Sequence, residues 1–247
     1  MKIKVCVANY GYSQIQHLNK MYEEFSKYKK YTVDFTVYSN VPVEQKHIIY
    51  PDGIGTNLPF ACRKHMADDL EKYDLFLYNE NDHLITEDNV DAFLEHSSKL
   101  EDNQVSGFIR YENRNDKKIL LDPNPGREFI NGIPTLIKNR YEENFSLYNQ
   151  HQGCWLLTKN QLKKVIDSGN FIMDSPTQET IHIETTIVYC PLEQGASHPY
   201  TQCGLEKVFP KDINLLRRLL ILHLPLKYSL MDLWLSHGIT IEELQNY

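Results

Sequence analysis

Ile3, Val5 and Val7 alternate with Lys4, Cys6 and Ala8 and stop at Asn9-Tyr10-Gly11. That two-residue period predicts an opening strand closed by a turn. Ile15, Leu18, Tyr22 and Phe25 then recur at helical spacing between about Gln14 and Tyr28. Thr32 to Tyr38 and His47 to Tyr50 read as strands, the second ended by Pro51-Asp52-Gly53. The pattern predicts a helix over Leu58 to Tyr73 with Pro59 in its first turn, where a missing N–H costs nothing. Asp74-Leu75-Phe76-Leu77-Tyr78 follows as a nearly continuous apolar run, the mark of a strand buried on both faces of a mostly parallel sheet.

Thr86 is placed to cap a helix with Glu87 and Asp88 in its first turn. Gln104 to Tyr111 reads as one strand and Ile119 to Leu121 as another. Asp122 to Pro134, rich in Pro, Gly and Asn, reads as a loop. Cys154 to Leu157 is strand-like, Thr158 and Gln161 form a capping box, and Gly169 stands where a left-handed C-cap belongs. A further helix is expected to start near Ile183, and a late strand to run from Leu219 to Leu224. Alternation of strand and helix through the first half implies an α/β fold with a mostly parallel central sheet flanked by helices. No Pro/Gly/Ser linker divides the chain, so a single domain is expected, with halves of about 1–113 and 114–247. The ligand should lie at the carboxyl ends of the strands.

A net charge of -7 over 247 residues argues against non-specific nucleic-acid binding, which needs a basic surface. A small anion remains admissible, because a metal ion can supply positive charge locally. The five cysteines are odd in number and include no C-x-x-C pair, so reduced thiols are expected rather than a disulfide framework or a zinc site. With no apolar leader and no run long enough to span a bilayer, the expected location is the cytoplasm. Sixteen tyrosines suit sugar-stacking surfaces and ordinary cores alike.

Glu80-Asn81-Asp82, directly after the buried strand, is the sharpest chemical feature. Two carboxylates at a strand's end can converge on one hard cation if the turn is tight, and Mg²⁺ and Mn²⁺ prefer such oxygens. An acidic solvated turn ahead of a helix has the same composition. Arg63 and Lys64 stand in the first turns of the preceding helix, suited either to a phosphate or to an ordinary surface. Asn9-Tyr10 and Ser39-Asn40 end the first two strands. There, Tyr10 can stack on a base and Asn40 can bond a ribose, although turn chemistry also explains Asn and Ser.

The stretch Leu58-Pro59-Phe60-Ala61-Cys62-Arg63-Lys64, then Tyr73-Asp74-Leu75-Phe76-Leu77-Tyr78-Asn79-Glu80-Asn81-Asp82-His83-Leu84-Ile85-Thr86, resembles glycosyltransferases of the GT-A (Rossmann-like) fold. Those enzymes carry an Asp-X-Asp or Glu-X-Asp motif after a strand. Gly153-Cys154-Trp155-Leu156-Leu157-Thr158 is similar to their acceptor-side segment. The resemblance implies sugar transfer, hexosyltransferase-like, from a nucleoside-diphosphate sugar donor to a glycan or other hydroxyl acceptor, assisted by Mn²⁺ or Mg²⁺. Glu80 and Asn81 replace more familiar aspartates. Asp82 is then the direct metal ligand, with Glu80 at the ribose, the metal's waters or Arg63.

By the same resemblance His223, in the late strand, completes the metal site, unless it is a buried histidine bonded to a carbonyl. Glu184 is the implied general base, with Glu179 in reserve, and that role would make the reaction inverting. Trp155 is either a sugar platform or core. Two rivals stay open. A sugar-nucleotide pyrophosphorylase would need a Gly-rich basic loop after the first strand, and Asn9-Tyr10-Gly11-Tyr12 has one glycine and no cation. A non-catalytic carbohydrate- or nucleotide-binding module would bind without metal.

Overall fold

The structure is a computed structural model that describes residues 1–114, 117–122, 137–138, 143–147, 150–173, 179–182 and 186–226. Its first elements follow the hydrophobic pattern: β1 (Lys2–Asn9), α1 (Ile15–Ser26), β2 (Thr32–Ser39) and β3 (His47–Ile49). The single helix expected over Leu58 to Tyr73 is instead three pieces. A 3-10 segment, Asp52–Phe60, precedes α2 (Arg63–Asp68), and a second 3-10 turn, Leu70–Lys72, follows it. The apolar stripe is real, since Leu58, Cys62 and Met66 are all buried. Both ends tighten to three-residue hydrogen bonds, Ala61 N to Leu58 O and Lys72 N to Asp69 O. Periodicity alone does not distinguish that tightening from an unbroken helix.

Next come β4 (Leu75–Glu80), β5 (His83–Leu84) and α3 (Glu87–Ser97), capped as expected by Thr86. The strand expected over Gln104 to Tyr111 divides into β6 (Gln104–Ser106) and β7 (Ile109–Arg114), with β8 (Lys117–Leu120) beyond. Gly107 sits at the break, where an added Cβ would come within 2.5 Å of the Phe209 ring. Only glycine allows that approach, and the chain changes sheets there.

The rest comprises β9 (Ile137–Lys138), β10 (Asn144–Leu147), β11 (Cys154–Thr158), α4 (Lys159–Asp167), β12 (Glu179–His182), β13 (Thr186–Tyr189), α5 (Pro191–Thr201), β14 (Glu206–Pro210), α6 (Ile213–Arg218) and β15 (Leu220–His223). The expected loop lies outside the described residues from 123 to 134. A helix starting near Ile183 is not found. The chain is in β12 to His182 and in β13 from Thr186, paired antiparallel, and the helix starts at Pro191. The alternating Thr180-Ile181-His182 and Thr186-Ile187-Val188 suits a hairpin better than a helix.

The central sheet has the order β11-β4-β1-β2-β3. Its first four strands in sequence pair in parallel, and β11 joins β4 antiparallel at one edge. This is a mixed α/β architecture with a mostly parallel sheet flanked by helices. Residues on both faces of β1 are fully buried, Ile3, Val5 and Val7 on one and Cys6 on the other. One core cluster runs in sequence from Ile3 to Ile221. A second sheet, β5-β15-β7-β8, begins at the two-residue strand that follows β4. The α4 helix leaves β11 through the expected capping box, with Thr158 accepting from Gln161 N, and Gly169 ends it at φ 76°. Thr158→Ala is expected to cost about 1 kcal/mol, a fall of roughly 2–4 °C in Tm, measurable by thermal denaturation.

Candidate active site

β1, β2 and β4 all end on the same side of the sheet, and a chain of amides ties their ends together. Asn81 Nδ2 donates to Asn9 Oδ1 at 2.6 Å, and Asn9 Nδ2 donates to Ser39 Oγ at 2.9 Å. Asn79 Nδ2 donates to His83 O at 2.9 Å and closes the turn that carries Glu80 to Asp82. Asn40 accepts from Gly11 N at 2.7 Å and donates to Asp52 at 2.9 Å. Asn9 is therefore fully buried framework rather than a ribose contact, and Asn40 holds two loops in place. Tyr10 is the most open of these strand-end candidates, at 53% exposure.

A cavity of about 490 Å³ lies over these strand ends, lined by Tyr10, Gln14, Thr56, Glu80, Asp82 and Leu192 among others. No lysine or arginine lines it among the described residues. Arg63, expected at a diphosphate, is elsewhere. Its guanidinium is 1% exposed and donates to Phe171 O at 2.9 Å and Gln194 O at 3.3 Å, with His198 Nδ1 at 2.9 Å. It also stacks over Phe60 at 3.9 Å. Burial lowers its pKa to about 10, and its role is to lock α2 to α5. Arg63→Lys should lower stability by roughly 2 kcal/mol by stranding buried carbonyls. Ligand binding measured well below the transition should stay unchanged. Lys64 pairs with Asp68 on the surface. Trp155 is core rather than a platform: it is 1% exposed, bonds Gly195 O and stacks on Tyr78.

At the cavity wall, strand register builds a cluster. β5 pairs antiparallel with β15, placing His83 opposite His223, and directly opposed residues share a face. Leu224 N donates to Asp82 O at 2.8 Å and fixes the preceding residue. The two imidazoles consequently lie 5.2 Å apart, centre to centre. Asp82 Oδ1 is 3.0 Å from His83 Nδ1, and Oδ2 is 3.5 Å from His223 Nε2. One ligand atom from each of the three residues falls within 4.8 Å of the others, the spacing a single metal ion requires. β15 pairs in parallel with β7, which carries Glu112. That carboxylate, 0% exposed, meets His223 Nδ1 at 2.7 Å and turns Nε2 toward Asp82.

Charges in the cluster are pushed apart. Burial and then the neighbouring Asp82 charge raise Glu80 to about 8. Burial opposes ionisation of Asp82 too, but the imidazoles more than offset it and hold its carboxyl well below the usual range. Burial lowers His83, leaving a neutral ring. Burial also acts against His223, yet Asp82 and Glu112 together raise it. Asp82 and His223 thus each favour the other's charged form.

Asp82 and His223 are thus brought together, and Glu80 lines the same cavity without contacting that pair. Glu184 lies outside the described residues, and of Glu179 only the strand is described. Two residues were missed. His83 directly follows Asp82 and was passed over as one histidine among ten. Glu112 stands in the polar run Arg110-Tyr111-Glu112-Asn113-Arg114, where no local pattern marks it for burial. Arg110, which makes a bidentate pair with Asp122 at 3.0 and 2.9 Å, acts electrostatically on Glu80 and His223.

No family model matches the chain, and no curated protein matches it. Among solved structures, it is similar over 100% of both chains to the crystal structure of a glycosyltransferase involved in the glycosylation of the major capsid of PBCV-1. The identity is 10% and the TM-score 0.40. Function is accordingly read from this chain's own residues. No helix among the described residues is long and apolar enough to cross a membrane.

Proposed function

We propose that the protein is a glycosyltransferase that moves a sugar from a nucleoside-diphosphate sugar to a hydroxyl acceptor, with a divalent cation held by Asp82 and His223. One observation carries this reading: the acidic turn after the buried parallel strand β4 lines an open cavity, and its Asp82 reaches back to His223 of β15 at 3.5 Å. The residues fit a cation, because one ligand atom each from Asp82, His83 and His223 falls within 4.8 Å of the others and the Asp82 carboxyl is held ionised. A bound cation would act as a Lewis acid toward a diphosphate leaving group.

Each side chain then has a physical task. Tyr10, exposed at the mouth, offers a face for a base or sugar ring. Glu80, kept protonated to about pH 8, can donate a hydrogen bond to a donor hydroxyl where an ionised carboxylate could only accept. The amide chain through Asn9 and Asn81 holds the turn rigid without adding charge. Glu184 remains the base proposed for the acceptor hydroxyl, and inversion at the anomeric carbon follows only if it has that role.

The Asp82 carboxylate and a cavity wall without lysine or arginine among the described residues predict that nucleotide binding is metal-dependent. Thermal denaturation with UDP, GDP, dTDP and CMP, with and without Mn²⁺, tests this by mass action. A rise in Tm with one nucleotide only when Mn²⁺ is present is the expected result, followed by turnover of the matching sugar nucleotide. A shift with a neutral glycan and none with any nucleotide would replace this reading with a carbohydrate-binding module. The cation-free wall is the observation that favours that second reading.

A further inference from the structure

Gln14 lines the cavity with Tyr10 and Asp82. It precedes α1 as the N-cap residue, yet its side chain makes no capping hydrogen bond, and glutamine is not among the residues that cap helices well. The helix is anchored instead by the buried Leu18, Met21 and Phe25. The Gln14 side chain turns to the next turn of α1, where His17 Nδ1 lies 2.5 Å from its Oε1. An amide oxygen can only accept, so the imidazole carries its hydrogen on Nδ1 and donates it. Burial lowers the His17 pKa, which keeps the ring neutral.

With Oε1 held by His17, Nε2 is the end of the amide left for a ligand. Fixed donors are otherwise scarce in the cavity. Asn81 also lines it, but Asn81 Nδ2 is spent on Asn9 Oδ1 at 2.6 Å. No lysine or arginine lines it among the described residues. Tyr10 and Thr56 bring hydroxyls, which rotate to either role. A free glutamine amide reads two opposite hydrogen-bond patterns, because it can turn over and lead with its oxygen or its nitrogen. Pinned at the oxygen, it reads one.

We propose that Gln14, held by His17, reads the base of the nucleotide and selects a carbonyl on its pairing edge (uracil, thymine, guanine) over an amino group there (cytosine, adenine). This rests on the reading above that the cavity takes a nucleotide, and it adds the class of base and the residue that sets it. Tyr10, four residues earlier in the same connection between β1 and α1, offers a ring face, and stacking on a ring is indifferent to which base is present. Gln14 adds the discrimination that stacking lacks. Its Nε2 donates to the base carbonyl, whereas an amino group in that place would face it donor to donor. The lost hydrogen bond corresponds to about a tenfold weaker affinity. His17 is a positioning residue, acting on the ligand only through the amide.

The test compares nucleotides of matched size on the protein with Mn²⁺ present, UDP against CDP and GDP against ADP, by titration calorimetry. Wild type should bind the carbonyl member of at least one pair about tenfold more tightly than its amino partner. Gln14→Glu, whose carboxylate accepts and cannot donate, should reverse that order. His17→Ala should bring the two affinities together by freeing the amide to turn over, a change that a role confined to helix stability would not produce. Both variants leave the anchors of α1 in place. Equal binding within both pairs by wild type would overturn the proposal without any variant needing to fold. So would a Gln14→Glu variant that weakens UDP and CDP by the same factor, which would move the contact from the base to the phosphates or the ribose. The two readings fail separately: nucleotide binding with no carbonyl preference sinks this inference alone, and no response to any nucleotide sinks the transferase reading with it.

Discussion

Asp82→Asn is expected to lower sugar transfer by about a thousandfold, equivalent to about 4 kcal/mol of transition-state stabilisation. Asp82 supplies the cluster's carboxylate and stands within 3.0 Å of one imidazole and 3.5 Å of the other. An amide of the same shape keeps one neutral oxygen and replaces the other with a donor, which faces a cation with hydrogens. The turn should survive, because it is set by Asn79, Asn81 and the backbone bond from Leu224 N to Asp82 O rather than by the carboxylate. Steady-state kinetics should therefore show the loss in kcat/KM with circular dichroism unchanged. Transfer within tenfold of wild type would remove Asp82 from the metal site.

Gly153→Ala carries the largest expected effect on stability, roughly 3 kcal/mol from two sources. Its φ of 68° costs a side chain about 1 kcal/mol. The new methyl would also sit 2.1 Å from a ring that is itself buried, an overpacking cost of roughly 2 kcal/mol. Together these correspond to a fall of about 6–12 °C in Tm. Gly169→Ala is the control: its φ of 76° is similar, but an added Cβ there meets nothing within 4 Å. Equal losses in the two variants would show that His83 does not pack on Gly153. Because relief requires His83 to move, Mn²⁺ affinity should fall in Gly153→Ala and hold in Gly169→Ala.

Much of this fold is legible in residue order. Period-two and continuous apolar runs located β1, β2 and β4, and cap chemistry located the starts of α3 and α4. Helices written as an apolar stripe were harder, because α2 and its flanking 3-10 turns bury the same stripe as an unbroken helix would. The strand break at Gly107 depends on Phe209, a neighbour far along the chain that no local pattern reveals.

The site divides along the same line. Glu80 and Asp82 announce themselves by following a buried strand, whereas His223 entered only through the family resemblance. His83 and Glu112 become visible only once β5, β15 and β7 are placed side by side. Arg63 misled for the opposite reason. Cation chemistry at a helix start is the same whether the side chain meets a phosphate or, as here, the carbonyls of Phe171 and Gln194.

The two-residue strand β5 has a consequence for synthesis. Its hydrogen-bonded partner lies at residues 222 and 223, so nearly the whole described chain must be made before the acidic turn acquires the strand that orders it. A nascent chain displays Asp82 and His83 long before His223 exists to complete the cluster. The proposed cation site is thereby incomplete until the late strand docks. Chains stopped short of it carry the acidic turn without the imidazole opposite, and protection of the Leu224 amide from solvent exchange would mark the moment the late strand meets that turn.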